Sequence, residues 1–130
     1  MVSNLACISY HEKGKNDVVQ KGSIPALCQL LSDVVSDVRE QVTLCLCSLA
    51  QINEGKNQIL KEDATFGSIK KLLDDPSKDT RLNVVQLIAN LAEHPVGREK
   101  AYSCLSTLKS LKDVEKTYID ATIEVINWKP

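Results

Sequence analysis

The chain holds two histidines, His11 and His94, each in a turn that follows an apolar helical stretch. Neither has an obvious partner for general acid–base work, so both read as exposed loop residues. No Gly-rich phosphate loop, Gly-x-Ser-x-Gly elbow or His-Glu-x-x-His pair occurs. Asp74, Asp75 and Asp79 gather around Pro76, but without the ladder of a calcium loop they read as one helix stopping and the next restarting. The five cysteines, Cys7, Cys28, Cys45, Cys47 and Cys104, are odd in number and lie inside apolar helical stretches, the pattern of reduced core thiols. Cys45 and Cys47 point about 200° apart on a helix and cannot grip one metal ion. The sequence therefore predicts no catalytic, metal or cofactor-binding residue, and the chain reads as a non-enzyme.

A different chemistry is spelled by amides and carboxylates at helical spacing. Gln41, Leu44, Ser48 and Gln51 form one row, Asn83, Gln86, Asn90 and Glu93 a second, and Thr117, Asp120, Glu124 and Asn127 a third. Steps of three and four residues hold each row on one side of its helix. Eleven of these twelve positions are polar although their neighbours are almost all apolar, which an ordinary solvated face would also show. Asn and Gln carry both donor and acceptor atoms, so such a row can pair with the N–H and C=O groups of an extended chain whatever its side chains. The expected partner-binding residues are Gln41, Ser48, Asn83, Gln86, Asn90, Glu93, Asp120, Glu124 and Asn127.

The elements that position these rows come from an internal repeat. Asn4-Leu5-Ala6 returns as Ser48-Leu49-Ala50 and as Asn90-Leu91-Ala92, with the leucines 44 and 42 residues apart. A glycine followed by a basic residue comes after each copy, at Gly14-Lys15, Gly55-Lys56 and Gly97-Arg98, spaced 41 and 42 residues. Acidic starts at Asp37 and Asp79 are again 42 apart, and each can cap its helix or complement the helix dipole. Each period reads as three helices. A short one carries Val18 and Val19, then Ile59 and Leu60. A second opens at Ser23-Ile24-Pro25, where proline suits a first helical turn. A long third runs from about Ser36 to Gln51 and from about Ser77 to Glu93, with Val38, Val42, Cys45, Leu46 and Leu49 and then Val84, Leu87, Ile88 and Leu91 at helical spacing. Near the end the interval shrinks, so the two small helices are expected to merge over about Val96 to Ser110 before a last helix from about Val114 to Trp128. Aligning that helix by Asp113 as its acidic start sets Ser48, Asn90 and Glu124 as equivalents.

The 130 residues suit one domain, with 43% hydrophobic and 25% charged residues and few aromatics, which favours helices packed on helices. Sixteen basic against seventeen acidic residues give a net charge of −1, so there is no field for a phosphate backbone and nucleic acid is not expected as a partner. No run reaches the apolar length of a membrane span and no targeting segment opens the chain, so a cytoplasmic location is expected.

A short, a medium and a long helix in about 42 residues resembles the armadillo repeat, with the related HEAT repeat its main competitor. The resemblance rests on Gly22-Ser23-Ile24-Pro25-Ala26-Leu27-Cys28-Gln29-Leu30-Leu31, on Val38-Arg39-Glu40-Gln41 and on the Ser48-Leu49-Ala50 ending. It implies an all-α right-handed superhelix: a remnant at 1–9, repeats at 14–52 and 55–93, and a shortened capping repeat at 96–128. The chain would then begin inside a repeat, with a truncated N-terminal edge able to self-associate. In peptide-binding armadillo proteins an Asn at the positions matching Asn4 and Asn90 holds the partner's backbone, and Ser48 departs from that pattern. Import receptors add a Trp one turn earlier, where this chain has Leu44 and Gln86. Its one Trp, Trp128, stands at the very end. A nuclear-import role is therefore disfavoured, while Glu93, Asp120 and Glu124 imply a protein partner with a basic segment. Residues 80–93, 97–101 and 125–130 are also similar to armadillo proteins of the ciliary radial spoke, which implies an axonemal scaffold. An adaptor for basic peptide cargo and a chaperone regulator clamping a folded ATPase domain are the alternatives.

Overall fold

The computed structural model describes residues 22–129, and the expectations for Asn4, Cys7, His11, Val18 and Val19 lie outside them. Eight α-helices follow in order: α1 Ile24–Gln29, α2 Ser36–Leu49, α3 Asn53–Leu60, α4 Asp63–Lys71, α5 Lys78–Leu91, α6 Pro95–Ala101, α7 Leu105–Ser110 and α8 Lys116–Ile126. Short 3-10 turns at Leu30–Ser32, Leu72–Asp74 and Tyr102–Cys104 link α1 to α2, α4 to α5 and α6 to α7. The stretch expected as one merged helix is thus helical from 95 to 110 but changes its winding at Tyr102.

The long helices stack side by side, α2 on α5 and α5 on α8, and the short ones pack around them. Their core positions repeat in register. Val42, Cys45, Leu46 and Leu49 of α2 are fully buried, as are Val84, Leu87, Ile88 and Leu91 of α5. This i, i+3, i+4, i+7 stripe is the face an amphipathic helix sends inward, and each large aliphatic side chain so buried contributes about 2 kcal/mol. In α8 the stripe continues as Ile119, Thr122 and Ile126. These residues follow Val84, Leu87 and Leu91 by 35, one more than the interval that Asp113 suggests.

Two further devices recur. The Arg39 guanidinium donates to the Asp33 carbonyl oxygen at 2.8 Å and to the Asp75 carboxylate at 2.7 Å. Arg81 does the same one repeat on, to the Asp75 carbonyl oxygen at 2.6 Å and the Asp113 carboxylate at 3.1 Å. Asp33 and Asp75 also accept from backbone N–H groups two residues ahead, of Val35 and Ser77, at 2.8 and 2.9 Å. Asp113 is therefore the counterpart of Asp75, not of Asp79, which explains the one-residue slip. The N-cap of α5 is Ser77, whose hydroxyl accepts from Thr80 N–H at 3.3 Å, while Asp37 and Asp79 stand in the first turns, where they complement the dipole. The second device is close approach: a Cβ on Gly55 or Gly97 would lie 2.1 Å from the Leu49 or 1.9 Å from the Leu91 carbonyl oxygen, so glycine lets α3 and α6 fold back tightly onto the long helix before them.

Candidate partner-binding groove

The last turn of α2 sets up the groove. The Gln51 N–H bonds Ser48 O instead of reaching Cys47 O, which leaves that carbonyl without an intrahelical donor. Asn90 of the neighbouring α5 supplies one, its Nδ2 lying 2.9 Å from Cys47 O and 3.5 Å from Cys47 Sγ. Asn83, two turns earlier, donates to Glu40 O at 3.1 Å and to Thr43 Oγ1 at 3.2 Å. Both amides thus tie α5 to α2, and part of their bonding capacity is spent inside the protein.

The end of α5 tightens in the same way, with Glu93 N–H on Asn90 O at 3.3 Å, so Ala89 O is left as Cys47 O is. The equivalent of Asn90 in α8 is Val125, which has nothing to donate. Among the described residues no donor reaches Ala89 O, the Asn90 Oδ1 accepts no hydrogen bond, and the Gln86 amide makes none. Gln86, Ala89 and Asn90 line one groove of about 330 Å³, together with Cys47, Tyr118 and Ala121 among others.

Toward the C-terminal ends of α5 and α8 lies a second hollow of about 650 Å³, bounded by Glu93, Pro95, Arg98, Ala121, Glu124, Val125 and Trp128. Ala121 belongs to both, so the two are continuous. Arg98 sits over the Trp128 ring, 4.8 Å from its centroid, and donates to Ala92 O at 3.1 Å and Glu93 O at 3.3 Å. Glu93 is largely exposed and lies 3.7 Å from the buried Lys56 ammonium, whereas Glu124 has no cation at ion-pair distance among the described residues.

The expected site residues divide accordingly. Gln86, Asn90, Glu93 and Glu124 line the two hollows. Gln41 and Asn83 are half-buried on α2 and α5, and Asn127 is exposed at the C-cap of α8. Ser48 is only 5% exposed and offers a partner almost no surface. Asp120 lines a separate hollow with Lys109, Ile119 and Ile123, on another side of α8. In its row stand Tyr118, Ala121, Val125 and Trp128, as the 35-residue core register requires. Sequence reasoning left Tyr118 and Trp128 out of the row, although aligning α8 by Ile126, the last core position, instead of by Asp113 places both in it. His94 is a half-buried N-cap, its Nδ1 accepting from Val96 N–H at 3.1 Å. Burial pushes the Cys28 thiol up to about 11 and raises that of Cys104 as well. No cluster of His, Cys, Asp or Glu among the described residues could hold a metal, and no described helix is long and apolar enough to cross a membrane.

Comparison with known proteins gives the same architecture. A designed armadillo repeat protein in complex with the peptide (KR)4 superposes with a TM-score of 0.82 at 22% identity, over 95% of this chain and 55% of that one. A second designed armadillo repeat protein gives 0.84 at 22% identity, over 97% and 56%. Computationally designed armadillo repeat proteins for modular peptide recognition give 0.81 at 24%, over 95% and 54%. The fold is an armadillo-type solenoid. Residues 24–52 match the HEAT repeat model, the sister pattern in the same architecture. This solenoid spans about half the length of the structures it matches. A search of curated proteins finds no significant match.

Proposed function

We propose that this solenoid is a protein-binding scaffold that holds an extended segment of its partner in the groove crossing α2, α5 and α8. The observation that carries the reading is the set of open peptide-type groups there: Ala89 O and Asn90 Oδ1 as acceptors, and the Gln86 amide as donor and acceptor. An extended backbone presents N–H and C=O groups at a spacing that such a row can meet, and the Tyr118 ring gives its side chains an apolar surface. Two structural neighbours, one a designed armadillo repeat protein in complex with (KR)4 and the other computationally designed for modular peptide recognition, support the same use of the fold. The basic segment expected of the partner is supported by Glu93 and Glu124, while Asp120 faces elsewhere.

Fluorescence anisotropy with a labelled (Lys-Arg)4 peptide tests this reading. Gln86→Ala, which removes no internal bond, should weaken binding about fivefold, the value of one net hydrogen bond. Equal affinity for wild type and Gln86→Ala would refute the groove. An axonemal scaffold rests on the resemblance of residues 80–93, 97–101 and 125–130 alone. Its test is whether the chain stays with radial spokes when detergent strips the ciliary membrane.

A further inference from the structure

Lys56 of α3 is buried in a way lysines seldom are. The residue is 3% exposed, and its ammonium donates no hydrogen bond to any described residue. Its one polar neighbour is Glu93 Oε2 at 3.7 Å, an ion pair too long for a hydrogen bond. Arg98, the counterpart 42 residues on, gives its N–H groups to Ala92 O and Glu93 O. Lys56 makes neither of the matching bonds, to Ala50 O or Gln51 O. Three N–H donors of a buried group are thus open, which is unfavourable unless something accepts from them.

The ammonium borders a hollow of about 410 Å³ between α3 and the start of α6, lined by Asn53, Lys56, Asn57, Glu93, His94 and Pro95. Asn53 and Asn57 stand one turn apart on α3, both exposed, and their side-chain amides bond nothing among the described residues. His94 accepts from Val96 N–H through Nδ1, which leaves Nε2 as its donor. Charge decides what such a hollow takes. Glu93 already balances Lys56, so a carboxylate or phosphate would leave it net negative, and a cation would face the ammonium. A neutral amide fits, because its carbonyl accepts from Lys56 while its N–H finds Glu93 or an Asn oxygen. Glu93 and Pro95 also bound the hollow that holds Trp128, so this one continues the groove around the end of α5.

We propose that the partner's chain leaves the groove over Pro95 and seats one uncharged peptide unit in this hollow, its carbonyl on the Lys56 ammonium and its other groups on Asn53 and Asn57. The proposal rests on the groove reading above and deepens it. Beside the segment held along α5 and α8, the partner must carry a stretch of plain main chain, and α3 reads it through a cation that the fold has already neutralised.

The test extends the labelled (Lys-Arg)4 peptide with a (Gly-Ser)3 tail at its N-terminus or at its C-terminus, and with (Gly-Glu)3 in the same two places. Anisotropy of each peptide is followed on the full chain as wild type, Lys56→Met, Asn53→Ala/Asn57→Ala and Gln86→Ala. One of the (Gly-Ser)3 tails should tighten binding to wild type about fivefold, the value of one net hydrogen bond. That gain should vanish in Lys56→Met and in the double asparagine variant, while both still bind the untailed peptide as wild type does. The two asparagines are exposed, so their loss leaves the fold in place even where Lys56→Met disturbs it. In Gln86→Ala every peptide should bind more weakly and the gain should persist. No gain from either (Gly-Ser)3 tail, or a gain that survives the double asparagine variant, overturns the proposal, and the groove still stands if Gln86→Ala weakens the untailed peptide. A larger gain from (Gly-Glu)3 would make this a carboxylate site and overturn it equally. Absence of any binding overturns both readings.

Discussion

Replacing Gly97 by alanine tests the tight return that the repeat imposes. A Cβ there would stand 1.9 Å from Leu91 O and 2.6 Å from Leu91 C, both backbone atoms, and 3.3 Å from Leu60 Cδ1. A carbon rests against a carbonyl oxygen at about 3.3 Å, so α6 must move away from α5 by more than 1 Å. Overpacking against atoms that cannot rotate aside costs about 3 kcal/mol or more, against which alanine's better helix propensity returns about 1 kcal/mol. The net loss of about 2 to 3 kcal/mol corresponds to a fall of roughly 10 °C in melting temperature for a domain of this size. Gly67 is the internal control: it lies within α4, its Cβ would meet nothing within 4 Å, and Gly67→Ala should stabilise by about 0.5–1 kcal/mol. Circular dichroism melts and urea titrations of the two variants should move in opposite directions. A neutral or stabilising Gly97→Ala would refute the reasoning.

The Arg–Asp clamps should differ in strength although they repeat. The Asp75 side chain is 3% exposed and Asp113 70%, so Arg39→Ala should cost about 2–3 kcal/mol and Arg81→Ala about half that, measured by urea unfolding. Asn90→Leu leaves Cys47 O without its donor and should destabilise by about 1 kcal/mol while also weakening (Lys-Arg)4 binding, so melting and anisotropy must be read together. Cys28 has its thiol held up to about 11 against an ordinary value of 9.0. Alkylation by iodoacetamide should be slow at pH 8 and climb steeply toward pH 11. Between those two values the unfolded chain has released a proton that the fold keeps, so stability falls as pH rises through the window. The fall should be shallower in Cys28→Ala.

The fold was legible because one pattern is written twice at full length. Val42, Cys45, Leu46 and Leu49 and their partners 42 residues on are apolar, helical in spacing and all buried. The glycine and basic residue after each copy read as a turn, whereas Gly55-Lys56 and Gly97-Arg98 stand inside α3 and α6, and the reason for the glycine, a carbonyl oxygen about 2 Å from any Cβ, is a matter of distance that no sequence prints. The candidate site was half legible. On α5 the residues Gln86, Asn90 and Glu93 line the two hollows, and their core register follows α2 at the 42-residue interval. On α8 the row came out one residue early, since Asp113 looks like a helix start and is in fact the clamp partner of Arg81. One residue on a helix is about 100°, enough to set Thr117, Asp120, Glu124 and Asn127 where Tyr118, Ala121, Val125 and Trp128 stand. The internal use of Asn90 was hidden for another reason: it depends on which carbonyl the end of α2 leaves open.

The central claim is that a partner's backbone lies along α2, α5 and α8. Its most direct test is a ¹⁵N NMR titration of this chain with (Lys-Arg)4, following the side-chain amides of Gln86 and Asn90 and the indole N–H of Trp128. The account predicts that these three signals shift together and saturably, with the backbone amides of α4 unmoved. Shifts confined to α1 and α4, with all three side chains silent, would contradict it and place binding on the far side of the solenoid.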